Sequence, residues 1–140
     1  SRGLGDVYKR QYLEGGEVEI TAGYPAGVIG NTRQNLQEAA DGEKMEWSNL
    51  YADFAKIARG EGFEEIAMSF DQIAKVEMFH EKRYRKLAKN IDDKEVFKKK
   101  SKTKWHCINC GYVYEGEEAP IECPACRHPQ SYYEVLAENY

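Results

Sequence analysis

Residues 66–91 read IAMSFDQIAKVEMFHEKRYRKLAKNI, and their apolar pattern decides the fold. Ile66, Phe70, Ile73, Glu77, His80, Tyr84, Leu87 and Ile91 recur at alternating steps of four and three. That spacing keeps side chains on one stripe of an α-helix, so Glu77 and His80 point toward a bundle interior. Upstream, Leu36, Ala39, Glu43, Glu46, Leu50 and Ile57 form a second stripe, widened by Trp47 and Phe54. Glu43 and Glu46 therefore face the core as well. Gly60 and Gly62 separate the two patterns, and so short a link makes the helices antiparallel neighbours. Each helix is expected to run for about 28 residues, roughly 42 Å. Gly42, inside the first, costs on the order of 1 kcal/mol relative to Ala, which predicts close packing there.

An ionised carboxylate in a dry interior normally neutralises, pairs or coordinates a metal, and here three Glu and one His share a seam. Glu43-x-x-Glu46 and Glu77-x-x-His80 each place two ligands one helical turn apart on one face. Carboxylate oxygen with one imidazole suits iron or manganese, and Glu-x-x-His on bundle helices marks di-iron carboxylate proteins. Glu77-x-x-His80 taken alone is read more readily as a surface pair; with the helical register and the second acidic pair, the reading turns to metal. Tyr51, one turn beyond Trp47, is placed to hydrogen-bond a ligating carboxylate or to pack as a core residue.

Residues 105–126 contain Cys107-x-x-Cys110, twelve residues, then Cys123-x-x-Cys126. Each pair predicts a tight knuckle, turned by Gly111 and Pro124, with both knuckles closing on one tetrahedral ion. A four-sulfur cage accepts zinc or iron; two disulfides are the alternative, disfavoured by a cytosolic setting. Without a metal so small a piece could barely fold. His106 and His128 flank a set that four sulfurs complete, and are expected at the surface.

The 140 residues hold 20 basic and 24 acidic side chains, are 41% hydrophobic and 31% charged, and fit one compact domain or two small ones. No stretch reads as a membrane span or a secretory signal, so the expected location is the cytoplasm. A net charge of −4 argues against nucleic acid as a partner. Residues 105–140 carry one basic residue against six acids. The preceding Lys98, Lys99, Lys100, Lys102 and Lys104 predict a solvated linker over 93–104, with a docking surface for an acidic partner as the alternative. The Gly-rich residues 12–30 read as a loop, and 1–11 as a scar of assembly outside the fold. The remaining boundaries expected are a helix pair over 31–92 and a metal-binding domain over 105–140.

The succession EGGEVEITAGYPAGVIG, DGEKMEWSNLYADFAKIA, AKVEMFHEKRYRKL and WHCINCGYVYEGEEAPIECPACRHPQ closely resembles the rubrerythrin family over residues 12–140. The resemblance implies a mainly α fold: a ferritin-like helical hairpin, half of a four-helix bundle, followed by a small rubredoxin-like β/loop domain. It implies Glu43, Glu46, Glu77 and His80 as di-iron ligands, with Glu46 binding one iron mainly in the oxidised state. It implies Cys107, Cys110, Cys123 and Cys126 as ligands of a mononuclear iron, for which zinc can substitute. The implied activity is peroxidase-type reduction of hydrogen peroxide to water, with single electrons relayed by the four-thiolate iron from a redox donor protein, and Glu46 or Tyr51 supplying protons. Rubrerythrins carry two further helices, with another Glu and a second Glu-x-x-His, that this sequence does not show. The chain is therefore expected to be part of a longer protein, with an intact four-thiolate site, a weak di-iron site, and a seam that pairs two copies. The competing readings are an electron carrier with an inert hairpin and a zinc-ribbon binding module.

Overall fold

The computed structural model describes residues 27–140, together with Glu19, Thr21 and Gly23. The expected scar and most of the expected N-terminal loop lie outside the described residues. The chain divides into two units, the first ending at Tyr84 and the second running from Arg85 to Tyr140.

Helix α1 (Thr32–Met45) starts at Asn31, whose side chain accepts from the Gln34 amide while Gln34 accepts from the Asn31 amide, both at 3.0 Å. This reciprocal pair satisfies two of the amides that a helix start leaves without partners. At Glu46 the helix widens into one π-turn (Glu46–Leu50), in which the Tyr51 amide reaches back five residues to the Glu46 carbonyl. Ser48 Oγ donates to the Lys44 carbonyl at 2.6 Å, occupying an acceptor within the widened turn. Helix α2 (Tyr51–Gly60) continues the same rod and stops at Gly62, φ +86°. The Phe63 amide bonds to the Ala58 carbonyl and the Gly62 amide to that of Arg59, the paired bonds of a left-handed helix stop. Helix α3 (Glu64–Asp92) then returns antiparallel. Trp47 meets Glu81, whereas farther along the first rod the Phe54 ring lies 5.5 Å from that of Phe70 and Arg59 pairs with Asp71, so the two rods run in opposite directions.

The buried residues of these helices are Ala40, Tyr51, Ala55, Ala58, Ala67 and Ala88, and all but Tyr51 are small side chains that let helices approach closely. That overturns part of the expected stripe. Phe54 and Ile57 are exposed, while Tyr51, Ala55 and Ala58, each one residue later, are buried. The π-turn is the cause: it absorbs one extra residue, and a count at 3.6 per turn loses phase from Glu46 onward. The close packing expected at Gly42 is also corrected, since a methyl group there would meet nothing within 4 Å.

In the second unit, strand β1 (Lys98–Cys107) lies between β2 (Val113–Glu118) and β3 (Tyr133–Val135), antiparallel to both. The lysine run expected as a linker is thus the first half of the central strand. Lys98 pairs with Glu118 in the β1–β2 register, Lys104 reaches Glu138 at 3.5 Å, and Lys99 Nζ donates to the Glu95 carbonyl and stands over the Trp105 ring. Glu118 on β2, Glu138 beyond β3 and the Glu95 carbonyl relieve the self-repulsion that made the run look unstructured. The core is Trp105, Cys107, Ala119, Cys123 and Tyr133, with Phe97, Tyr112 and Cys126 packed on it. Trp105 is 1% exposed and its Nε1 donates to the Gly116 carbonyl at 3.0 Å.

Candidate metal centres

Two loops of one design hold the four cysteines. In the first, the Gly111 amide bonds to the Cys107 carbonyl and the Cys107 amide to that of Tyr112. In the second, the Arg127 amide bonds to the Cys123 carbonyl and the Cys123 amide to that of His128. Each turn needs a left-handed residue after its second cysteine, filled by Gly111 (φ +82°) and by Arg127 (φ +63°). The cysteines are free thiols. Cys107 Sγ lies 3.7 Å from Cys126 Sγ, Cys110 Sγ lies 3.7 Å from Cys123 Sγ, and all four sulfurs fall within 4.8 Å of one another. A tetrahedral ion with bonds of about 2.3 Å sets its sulfurs roughly 3.8 Å apart, whereas a disulfide needs about 2.05 Å. The spacing is that of ligands around one ion, and the disulfide alternative falls. The amide of His128, hydrogen-bonded to Cys126, is the largest cause holding that thiol down at about 6, against the opposing effect of burial. His106 and His128, expected at the surface, are half-buried and outside the four-sulfur group: the first faces Glu134 at 3.4 Å, and the second packs on Tyr132.

In the hairpin, Glu43 on α1 converges with Glu77 and His80 on α3, one ligand atom from each lying within 4.8 Å of the others. His80 Nδ1 is 2.7 Å from Glu77 and 3.7 Å from Glu43. Burial pushes the Glu43 carboxyl up to about 7, reinforced by the neighbouring charges of Glu77 and Glu46 and by a hydrogen bond with Glu77. Carboxylates crowded this way share protons or a cation. Glu46, half-buried at the start of the π-turn, influences Glu43 but is not one of the three that converge. Tyr51 is buried against the rings of Phe54 and Phe70.

The three groups expected to face the core are half-buried. Their side chains remain 19% (Glu43), 14% (Glu77) and 43% (His80) exposed, because two helices screen a seam from one side only. The chemistry of the donor set still fits a hard divalent cation: two carboxylates and an imidazole, with protons to displace. Sequence reasoning missed the bond from Trp47 Nε1 to Glu81 at 2.7 Å, which ties the helices beside Glu46 and His80. The adjacency of Trp47 to Glu46 and of Glu81 to His80 was the available signal.

The family profile described as "Rubrerythrin" matches residues 3–88, and "Rubrerythrin, rubredoxin-like domain" matches residues 105–134. The chain belongs to the rubrerythrin family. It is 53% identical over 129 residues to a rubrerythrin of Porphyromonas gingivalis, covering 92% of this chain and 64% of that protein. It is 51% identical to a rubrerythrin of Nitratidesulfovibrio vulgaris, covering 93% and 68%. The chain thus spans about two thirds of the length of these relatives. Among solved structures, partially reduced nigerythrin is similar at 26% identity and a TM-score of 0.50, over 95% of this chain and 61% of that one. A four-cysteine rubredoxin-like cage, in one chain with a Glu/His group of di-iron type, is in this family an iron-binding donor set.

Proposed function

We propose that the protein reduces hydrogen peroxide to water at an iron site held by Glu43, Glu46, Glu77 and His80, using electrons relayed through an iron held by Cys107, Cys110, Cys123 and Cys126. One observation carries the reading: a chain of the rubrerythrin family brings together a hard oxygen and nitrogen donor set and, separately, a soft four-sulfur set. When bound, iron supplies one-electron redox chemistry at both sites and Lewis acidity at the carboxylate site. The chain's own residues set the conditions. Glu43 gives up its proton as a cation enters, and the His80 Nδ1 contact to Glu77 orients the imidazole. Tyr51 Oη and the Glu46 carboxylate are the groups proposed to hold protons for the departing oxygens.

A second reading, an electron carrier with an inert hairpin, draws support from the 43% exposure of the His80 side chain and from Glu46 standing outside the converging three. A zinc-ribbon module leaves the Glu/His group without a purpose. Iron loading followed by peroxide consumption with a chemical reductant separates all three. Turnover that vanishes in Glu77→Ala supports the enzyme. A coloured, inactive protein leaves the carrier, and a colourless zinc protein leaves the ribbon.

Association of two copies, a cytoplasmic location and a redox donor protein belong to the same proposal. Ile66, Phe70, Ile73 and Tyr84, on the same stripe of α3 as Glu77 and His80, are only half-buried, an apolar seam that two-fold pairing would cover. Light scattering that finds a stable monomer at micromolar concentration removes the pairing. Among the described residues no helix is long and apolar enough to cross a membrane.

A further inference from the structure

Tyr133 poses a question that its packing does not answer. It is 5% exposed, and its Oη is buried with no hydrogen-bond partner of normal geometry. An orphaned buried hydroxyl costs about 1–3 kcal/mol, and a phenylalanine would fill the same space without that penalty. The sheet register locates the ring. Tyr133 stands directly opposite Cys107 in the β1–β3 pairing, so both side chains leave the same face of the sheet and enter the core that also holds Cys123. The Tyr133 phenol faces the Cys123 sulfur, as do the amides of Cys126 and Ala125. A neutral thiol is a poor acceptor for a phenol. A metal-bound thiolate is a good one.

We propose that Tyr133 is a positioning residue of the four-cysteine centre, its buried hydroxyl donating to the Cys123 sulfur once that sulfur is a metal-bound thiolate. The proposal rests on the reading of this cage as an iron centre. A donor on a ligating sulfur stabilises the more electron-rich, reduced state, so Tyr133 raises the reduction potential of the bound iron. It also strengthens metal binding of either kind, because the hydroxyl is satisfied only in the loaded state.

The test compares the full chain with Tyr133→Phe, which keeps the ring and removes one oxygen. With iron in the cysteine site, the variant is expected to have a lower potential. Its equilibrium with a one-electron mediator should shift by about fivefold or more, the weight of one hydrogen bond, where tenfold corresponds to about 59 mV. The thiolate-to-iron absorption should move with it, and zinc should bind more weakly in competition with a chelator. The metal-free variant should melt no lower than the parent, since the orphaned atom is gone. Equal potentials and identical spectra in two iron-loaded proteins overturn the role of Tyr133 and leave the iron reading intact. A parent chain whose cysteines take up no iron overturns that reading and this inference with it.

Discussion

Lys94 and Arg127 hold left-handed backbone, φ 58° and 63°, where side chains are penalised and glycine is not. Lys94 ends α3 in the way Gly62 ends α2: the Glu95 amide bonds to the Asn90 carbonyl at 2.7 Å and the Lys94 amide to that of Ile91 at 3.1 Å. Lys94→Gly is expected to stabilise the protein by about 0.5–1 kcal/mol, less than the full left-handed penalty because glycine also loosens the unfolded chain. Thermal melting measures it, and a lower melting temperature would show that the Lys94 side chain makes up for its backbone. Arg127→Gly would copy the first knuckle into the second. The loss of the Arg127 pair with Glu122, 2.8 Å apart on an exposed surface, should cost little against that gain.

At the scale of the element, the π-turn sets which face of the first rod packs. It inserts one residue, so that Tyr51, Ala55 and Ala58 rather than Leu50, Phe54 and Ile57 become the buried positions. Deleting the exposed Asn49 should restore an unbroken α-helix while keeping Tyr51 and Ala55 buried. Circular dichroism should find equal or greater helicity, whereas a cooperative loss of structure would mean that the turn itself is needed for folding. The same helices carry the pH response. Glu43 has its carboxyl raised from 4.5 to about 7, so between those values the folded metal-free chain binds more protons than the unfolded one. Its stability contribution is full below about 4.5 and is lost as pH rises through about 7. Denaturant midpoints of the metal-free protein should fall across that window, and Glu43→Gln should flatten the fall. Added divalent cation should reverse the trend, because binding must release the Glu43 proton and so strengthens as pH rises.

For the molecule as a whole, the two units should differ in what holds them. The second has a core built on two of its own metal-ligand candidates, Cys107 and Cys123, both 0% exposed, and structural four-ligand sites contribute on the order of 10 kcal/mol to folding. Trp47→Phe leaves Trp105, 1% exposed, as the single tryptophan reporter. Chelation of the loaded variant should shift its emission to the red while most of the helical circular dichroism remains. Concerted loss of both signals would show that the units fold as one. Removing Trp47 also deletes its bond to Glu81, which should lower hairpin stability by about 1–2 kcal/mol.

Much of this was legible from spacing alone. Steps of three and four mark two helices, glycine marks the stop between them, and two Cys-x-x-Cys pairs mark two knuckles, because each rule depends on neighbours a few residues apart. The ligand groups followed from the same local geometry, and Glu43, Glu77 and His80 do converge. Other features came only with tertiary structure. Lys98–Lys104 is a strand because Glu118, Glu138 and the Glu95 carbonyl, far or folded back in the chain, meet its charges. The phase slip after Glu46 and the partial exposure of the carboxylates likewise depend on how one helix seats against another, and no periodicity within a single segment encodes that contact.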